Sequence, residues 1–126
     1  MSDLFYIRLI LVLAVVSIVV GDFYSSRYDN FDITPLLEND RILLGYTKCF
    51  LDQGPCTPDA KDFKKVIPEA LQTVCGKCTQ KQGNLIKVVV RTLRERHPES
   101  WKLLLDRYDS EKKFREEFDK FLLQDD

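Results

Sequence analysis

The chain has 126 residues, of which 44% are hydrophobic and 31% charged, and a formal net charge of −1. That is the composition of one globular domain and excludes a disordered chain. The balanced charge supplies no overall field for nucleic acid or for an anionic membrane.

Residues 1–21 stand apart from the rest. Arg8 is followed by an apolar run, Leu9 to Val20, broken only by Ser17, and the composition turns polar at Gly21-Asp22. This is the pattern of a secretory signal peptide cut after Gly21. The run is shorter than the roughly 20 apolar residues of a spanning helix, so an uncleaved signal anchor is the weaker reading. The expected mature domain is residues 22–126, secreted to the extracellular space, with no stable membrane insertion. Asp3 and Arg8 leave together, so the charge does not change. A domain of about 100 residues buries only a modest core.

From Asp22 to Asp32 the aromatics Phe23, Tyr24, Tyr28 and Phe31 show no helical period and predict an extended lead-in packed on the body. Thr34-Pro35 reads as an N-cap and first-turn proline opening a short helix. Asn39 or Asp40 caps the next, whose face carries Ile42, Leu43, Tyr46, Thr47 and Phe50 until Gln53-Gly54-Pro55 stops it. Thr57-Pro58 repeats the cap, and Phe63, Val66, Ile67, Ala70, Leu71 and Val74 form a buried stripe that continues past Pro68. A long helix is expected from Gln80 to Arg96, with Leu85, Ile86, Val89, Val90 and Leu93 inward and Lys87, Arg91, Arg94 and Arg96 as a solvated basic face. Pro98 opens a helix bearing Trp101, Leu104, Leu105 and Tyr108. Asp109-Ser110 caps a last one with Phe114, Phe118, Phe121 and Leu122. The predicted fold class is all-α, a single domain of about six amphipathic helices.

The four cysteines follow the spacing Cys49-x6-Cys56-x18-Cys75-x2-Cys78. In a secreted chain of this size they most simply form two disulfides, with three pairings possible in principle. If neighbours pair, the short loops are worth roughly 2.5 and about 1.9 kcal/mol and act as local clamps on helix ends. A redox Cys-x-x-Cys would need a preceding strand, which is missing. A four-thiolate zinc site fits neither the first spacing nor secretion, so no metal and no cofactor are expected.

This cysteine spacing, together with Tyr28-Asp29-Asn30, Asp40-Arg41-Ile42-Leu43, Cys56-Thr57-Pro58, Ile67-Pro68-Glu69-Ala70-Leu71, Lys77-Cys78-Thr79-Gln80-Lys81-Gln82, Trp101 and Tyr108-Asp109, resembles the insect chemosensory proteins, the OS-D-like four-cysteine soluble carriers. The resemblance covers essentially all of residues 22–126. It implies six helices around an internal apolar channel, with disulfides Cys49–Cys56 and Cys75–Cys78. It also implies a soluble, monomeric carrier of small hydrophobic molecules: semiochemicals, long-chain fatty acids, esters or alcohols. Other family members act in development, reproduction or response to infection, with ligand binding incidental. A chemoreceptor is the protein partner such a carrier would meet. Tyr46 matches a channel-lining position and Trp101 one at the channel wall. Phe114 and Phe118 stand where Trp or Tyr is frequent, and Lys48 replaces a common Asn.

The expected ligand contacts are Tyr28, Ile33, Leu37, Leu43, Tyr46, Val66, Ile67, Ala70, Ile86, Val89 and Trp101. Taken singly, Ile33, Leu43, Val66, Val89 and Leu93 each read first as plain core. Collectively the amphipathic segments supply more apolar face than one filled core requires. A sixteen-carbon chain between them would gain about 12 kcal/mol gross, against on the order of 4–15 kcal/mol for association and ordering. Micromolar binding, about −8 kcal/mol, follows without a strong polar contact. His97 has no partner for a metal site or a nucleophile, and no carboxylate pair sits in an apolar sequence context, so no enzyme is expected.

Overall fold

The computed structural model describes residues 23–25 and 28–124; the expected signal peptide, residues 1–21, lies outside them. Among the described residues six helices follow one another: α1 Thr34–Glu38, α2 Asp40–Phe50, α3 Pro58–Gln72, α4 Gln80–Arg96, α5 Pro98–Tyr108 and α6 Arg115–Leu123. No strand occurs among the described residues.

Local chemistry explains most of these boundaries. The Thr57 hydroxyl accepts the Ala60 N–H at 3.1 Å, with Pro58 at the first helical position of α3. Thr79 and Gln82 form a reciprocal capping box on α4, each bond 3.2 Å. Asn39 caps α2 through its side chain, which accepts from Arg41 N–H at 3.0 Å. Two expected caps move. Ile33 takes the cap position of α1, and Thr34 is its first helical residue, its N–H held by Asp32 Oδ1 at 3.0 Å. Asp109 accepts the N–H groups of Lys113 and Phe114 at 2.9 and 3.1 Å, capping a turn that precedes α6. Lys112, left-handed at φ 60°, keeps that turn from joining the helix.

The disulfides pair Cys49 with Cys56 and Cys75 with Cys78, at Cα separations of 5.0 and 5.1 Å. After α2 the chain reverses through left-handed Asp52 (φ 58°) rather than through Gly54. After α3 it reverses through Val74 (φ 52°) and Cys75 (φ 61°), and Cys75 N–H caps the helix on Ala70 O at 2.7 Å. A β-branched residue is costly in that region, and the four-residue Cys75–Cys78 ring closes directly over it. Replacing both Cys75 and Cys78 with serine is expected to cost about 2 kcal/mol in guanidinium unfolding; an unchanged midpoint would show that the ring clamps nothing.

The carboxylate of Asp52 meets Lys64 of α3 and Arg107 of α5, tying the end of α2 to both. The hydrogen bond from Lys64, and then the Arg107 charge, hold its pKa below the ordinary carboxylate value. This stabilisation is present above the unfolded-state pKa and is lost as the pH falls through the lowered one. Acid unfolding of Asp52→Asn should therefore lack that part of the pH dependence.

Two apolar clusters make the core. Leu36, Leu43, Leu93 and Leu104 centre one. Leu71, Phe118 and Leu122 centre the other. Trp101 and Tyr108 of α5 touch both clusters. Of the lead-in aromatics, Tyr28 and Phe31 meet Phe63 edge-on at 4.9 and 5.0 Å, but Phe23 is exposed, contrary to expectation.

The basic stripe of α4 is only in part a solvated face: Arg94 and Arg96 stay at the surface, while Lys87 and Arg91 are covered. Lys87 is buried beneath the Phe121 ring, 5.0 Å from its centroid. Arg91 donates to the carbonyls of Leu122 and Gln124 at 2.5 and 2.6 Å, and Arg94 pairs with Asp119 at 3.1 Å. Arg96 donates to Leu37 O at 2.6 Å and pairs with Asp40. The last turn of a helix exposes unpaired carbonyls and a partial negative charge. The stripe thus contributes contacts to α6 and α1 while Arg94 and Arg96 remain at the surface.

Candidate functional site: an apolar cavity between the helices

A cavity of about 370 Å³ lies among residues of both core clusters. Helical spacing puts its walls together: Leu43, Tyr46, Thr47 and Phe50 of α2, and Phe63, Val66, Ile67 and Ala70 of α3. α4 adds Leu85, Ile86, Val89 and Leu93, α5 adds Trp101, Leu104 and Tyr108, and α6 adds Phe118. Residues three and four apart share a helix face, so each stripe read from the sequence becomes one wall.

Of the expected contacts, Tyr28, Ile33, Leu43, Tyr46, Val66, Ile67, Ala70, Ile86, Val89 and Trp101 all line this space. Leu37 does not. Its neighbour Leu36 is the buried, lining residue of α1, and one residue along a helix turns the side chain by about 100°. The lining also includes Tyr24, Asp62, Gln82 and Phe118, which the expected set omitted. Phe118 was legible from its stripe. Asp62 and Gln82 fall in register with the stripes of α3 and α4 but are polar, so an apolar stripe does not reveal them; Tyr24 carries no period, and only the folded lead-in brings it to the cavity.

Most polar atoms at the cavity are already engaged. The Tyr28 hydroxyl donates to the Asp62 carboxylate. Gln82 Nε2 donates to Ser25 O and Asp29 Oδ1, each at 2.9 Å. Thr47 donates back to Leu43 O at 3.0 Å, and Tyr108 to Phe50 O at 2.5 Å. The Tyr24 hydroxyl is different: it is buried and has no hydrogen-bond partner among the described residues. Burial pushes its pKa up, the Glu69 carboxylate adds to that, and Lys77 opposes it. What remains for a guest is a wall mostly of carbon, with the Tyr24 hydroxyl among its polar atoms.

An apolar void forgoes about 24 cal/mol of packing per Å³, so 370 Å³ left empty costs on the order of 9 kcal/mol. That is comparable with the whole stability of a small domain, about 5–15 kcal/mol. Water recovers little of it, because a buried water needs two to four polar partners. A guest built of methylenes recovers much more.

No group of three His, Cys, Asp or Glu side chains among the described residues could hold a metal ion. His97 Nε2 instead lies 3.2 Å from the Asp40 carboxylate, at the junction of α4 and α5. No described helix is long and apolar enough to cross a membrane.

Known proteins share this architecture. Residues 24–116 match the family model described as the insect pheromone-binding family, A10/OS-D. The chain is 43% identical over 98 residues to Allergen Tha p 1 of Thaumetopoea pityocampa, covering 78% of each protein. It is 41% identical over 100 residues to ejaculatory bulb-specific protein 3 of Drosophila melanogaster, covering 79% of each. Among solved structures it resembles a chemosensory protein in complex with bromo-dodecanol, at 30% identity and a TM-score of 0.70, covering 77% of this chain and 97% of that one. With its two short-loop disulfides and its six helices around an apolar cavity, the chain belongs to the insect pheromone-binding family A10/OS-D.

Proposed function

We propose that this protein is a secreted carrier that takes up one long-chain, low-polarity molecule, such as a fatty alcohol, ester or fatty acid, in the cavity between its helices. The observation that carries the reading is a cavity of about 370 Å³ walled almost entirely by carbon. That volume falls at the small end of the roughly 300–1,000 Å³ of ligand sites, which suits a slender chain better than a bulky ring system. The chemosensory structure that it resembles holds bromo-dodecanol, a guest of this kind. Selectivity then rests on length and shape, with loose discrimination among head groups.

Displacement of a fluorescent fatty-acid probe tests the reading. Competition by long-chain alcohols and esters at micromolar concentration is the expected result, and no competition by any of them would end it. The unpaired Tyr24 hydroxyl gives a finer prediction. Tyr24→Phe should weaken an alcohol or ester by about 0.5–1.5 kcal/mol and leave a hydrocarbon of equal length unaffected. Equal losses for both guests would remove Tyr24 from head-group recognition.

A further inference from the structure

Three walls of the cavity are fastened at the four-residue ring closed by Cys75 and Cys78. On the α3 side, Cys75 N–H donates to Ala70 O at 2.7 Å, and Ala70 and Leu71 line the cavity. On the lead-in side, Lys77 O, inside the ring, accepts the Tyr24 N–H at 3.0 Å, and Tyr24 lines the cavity too. On the α4 side, the residue after Cys78 is the cap, Thr79. Its hydroxyl donates to Asp29 Oδ1 at 2.9 Å, and Gln82, its partner in the capping box, donates to Ser25 O and Asp29 Oδ1. The ring is thus the joint that α3, α4 and the lead-in share.

The backbone at this joint is not in a favoured conformation. Val74 and Cys75 are consecutive left-handed residues, at φ 52° and 61°, and Val74 is β-branched. Crowding at Cβ disfavours that region for both. A covalent ring holds the chain there. The ion pair of Lys77 with Glu69 is a weak substitute, because both side chains are exposed and such pairs are worth little. The other ring differs: no residue from Leu51 to Cys56 lines the cavity, and Asp52 within it is tied to Lys64 and Arg107.

We propose that the Cys75–Cys78 bond is a redox latch on the cavity, closed when oxidised and released by a dithiol reductant. A thiolate of the reductant attacks one sulfur and the S–S bond breaks; the reductant's second thiol then displaces the protein sulfur from the mixed disulfide. The reductant leaves as a disulfide, having passed two electrons and two protons to Cys75 and Cys78, which become thiols. The turn then relaxes toward commoner backbone angles and Lys77 O leaves the Tyr24 N–H. Guest affinity falls by the fraction of molecules in which the lead-in stays ordered. The bond is the target of the exchange and not its catalyst, so no oxidoreductase fold is required. The inference rests on the carrier reading and adds a condition for release.

The test is calorimetric titration of 1-dodecanol into the full chain carrying Cys49→Ser and Cys56→Ser, which leaves one reducible bond, before and after dithiothreitol. Reduction should weaken binding by about tenfold. It should also speed hydrogen exchange of the Tyr24 amide, keep the helical circular dichroism and reverse on reoxidation. Cys75→Ser with Cys78→Ser, the other bridge kept, should match the reduced form in affinity and in Tyr24 exchange, and it decides the matter if the first variant fails to fold. Unchanged affinity, or unchanged protection of Tyr24, would overturn the latch and leave the carrier reading standing. So would an affinity that falls only in step with the loss of helix. No binding of 1-dodecanol by the oxidised, unsubstituted chain would end the carrier reading and the latch with it.

Discussion

Replacing Asp109 with alanine is expected to lower the unfolding free energy by about 2–4 kcal/mol. Asp109 is 4% exposed, and its carboxylate accepts the N–H groups of Lys113 and Phe114. The Arg115 guanidinium lies at ion-pair distance from it, 3.6 Å, and also donates to its backbone carbonyl at 3.1 Å. Deleting the carboxylate leaves two amides without their acceptor, while Arg115 keeps Asp106 and the carbonyl of residue 109, each at 3.1 Å. The turn from α5 to α6 would lose its organiser, and Phe118 and Leu122 depend on that turn for their place in the core. Asp109→Asn keeps one acceptor oxygen and should lose less. Urea unfolding of the two variants measures this; a loss under about 1 kcal/mol for alanine would mean that the turn holds itself.

Filling the cavity should separate binding from stability. Ala70 of α3 and Val89 of α4 both line it. Ala70→Phe, alone and with Val89→Phe, places rings into space that is otherwise unpacked. Overpacking a filled core costs about 1–3 kcal/mol, whereas occupying a void recovers contacts. Stability is therefore expected to hold or to rise by about 1–2 kcal/mol, while affinity for a long-chain alcohol falls at least tenfold. A loss of stability together with unchanged affinity would mean that the two residues pack as ordinary core and that guests bind elsewhere.

The helices were largely legible in the sequence because each has a cap, a proline or a stripe that acts locally. Thr57-Pro58, the Thr79–Gln82 capping box and Pro98 place the starts of α3, α4 and α5 where the sequence predicts them. The walls of the cavity followed from the same stripes. Three features were not legible, two for a reason of distance and one because its helix is short. Lys87 and Arg91 look like a solvated face along α4 alone, and only the arrival of α6 covers them. Tyr24 and Gln82 meet at the cavity because the lead-in folds back, its Tyr24 N–H bonding to Lys77 O at 3.0 Å. Leu37 misses the cavity because α1 spans only Thr34–Glu38, too short for a stripe to reveal which leucine faces in.

The most direct measurement is the affinity of the full chain for a series of saturated 1-alcohols of increasing length, by calorimetric titration. Each methylene buried between the helices is worth about 0.8 kcal/mol, so the dissociation constant should fall about tenfold for every two carbons until the cavity is full, and then level off. An affinity independent of chain length, or no binding at any length, would contradict a cavity that is held open for a guest.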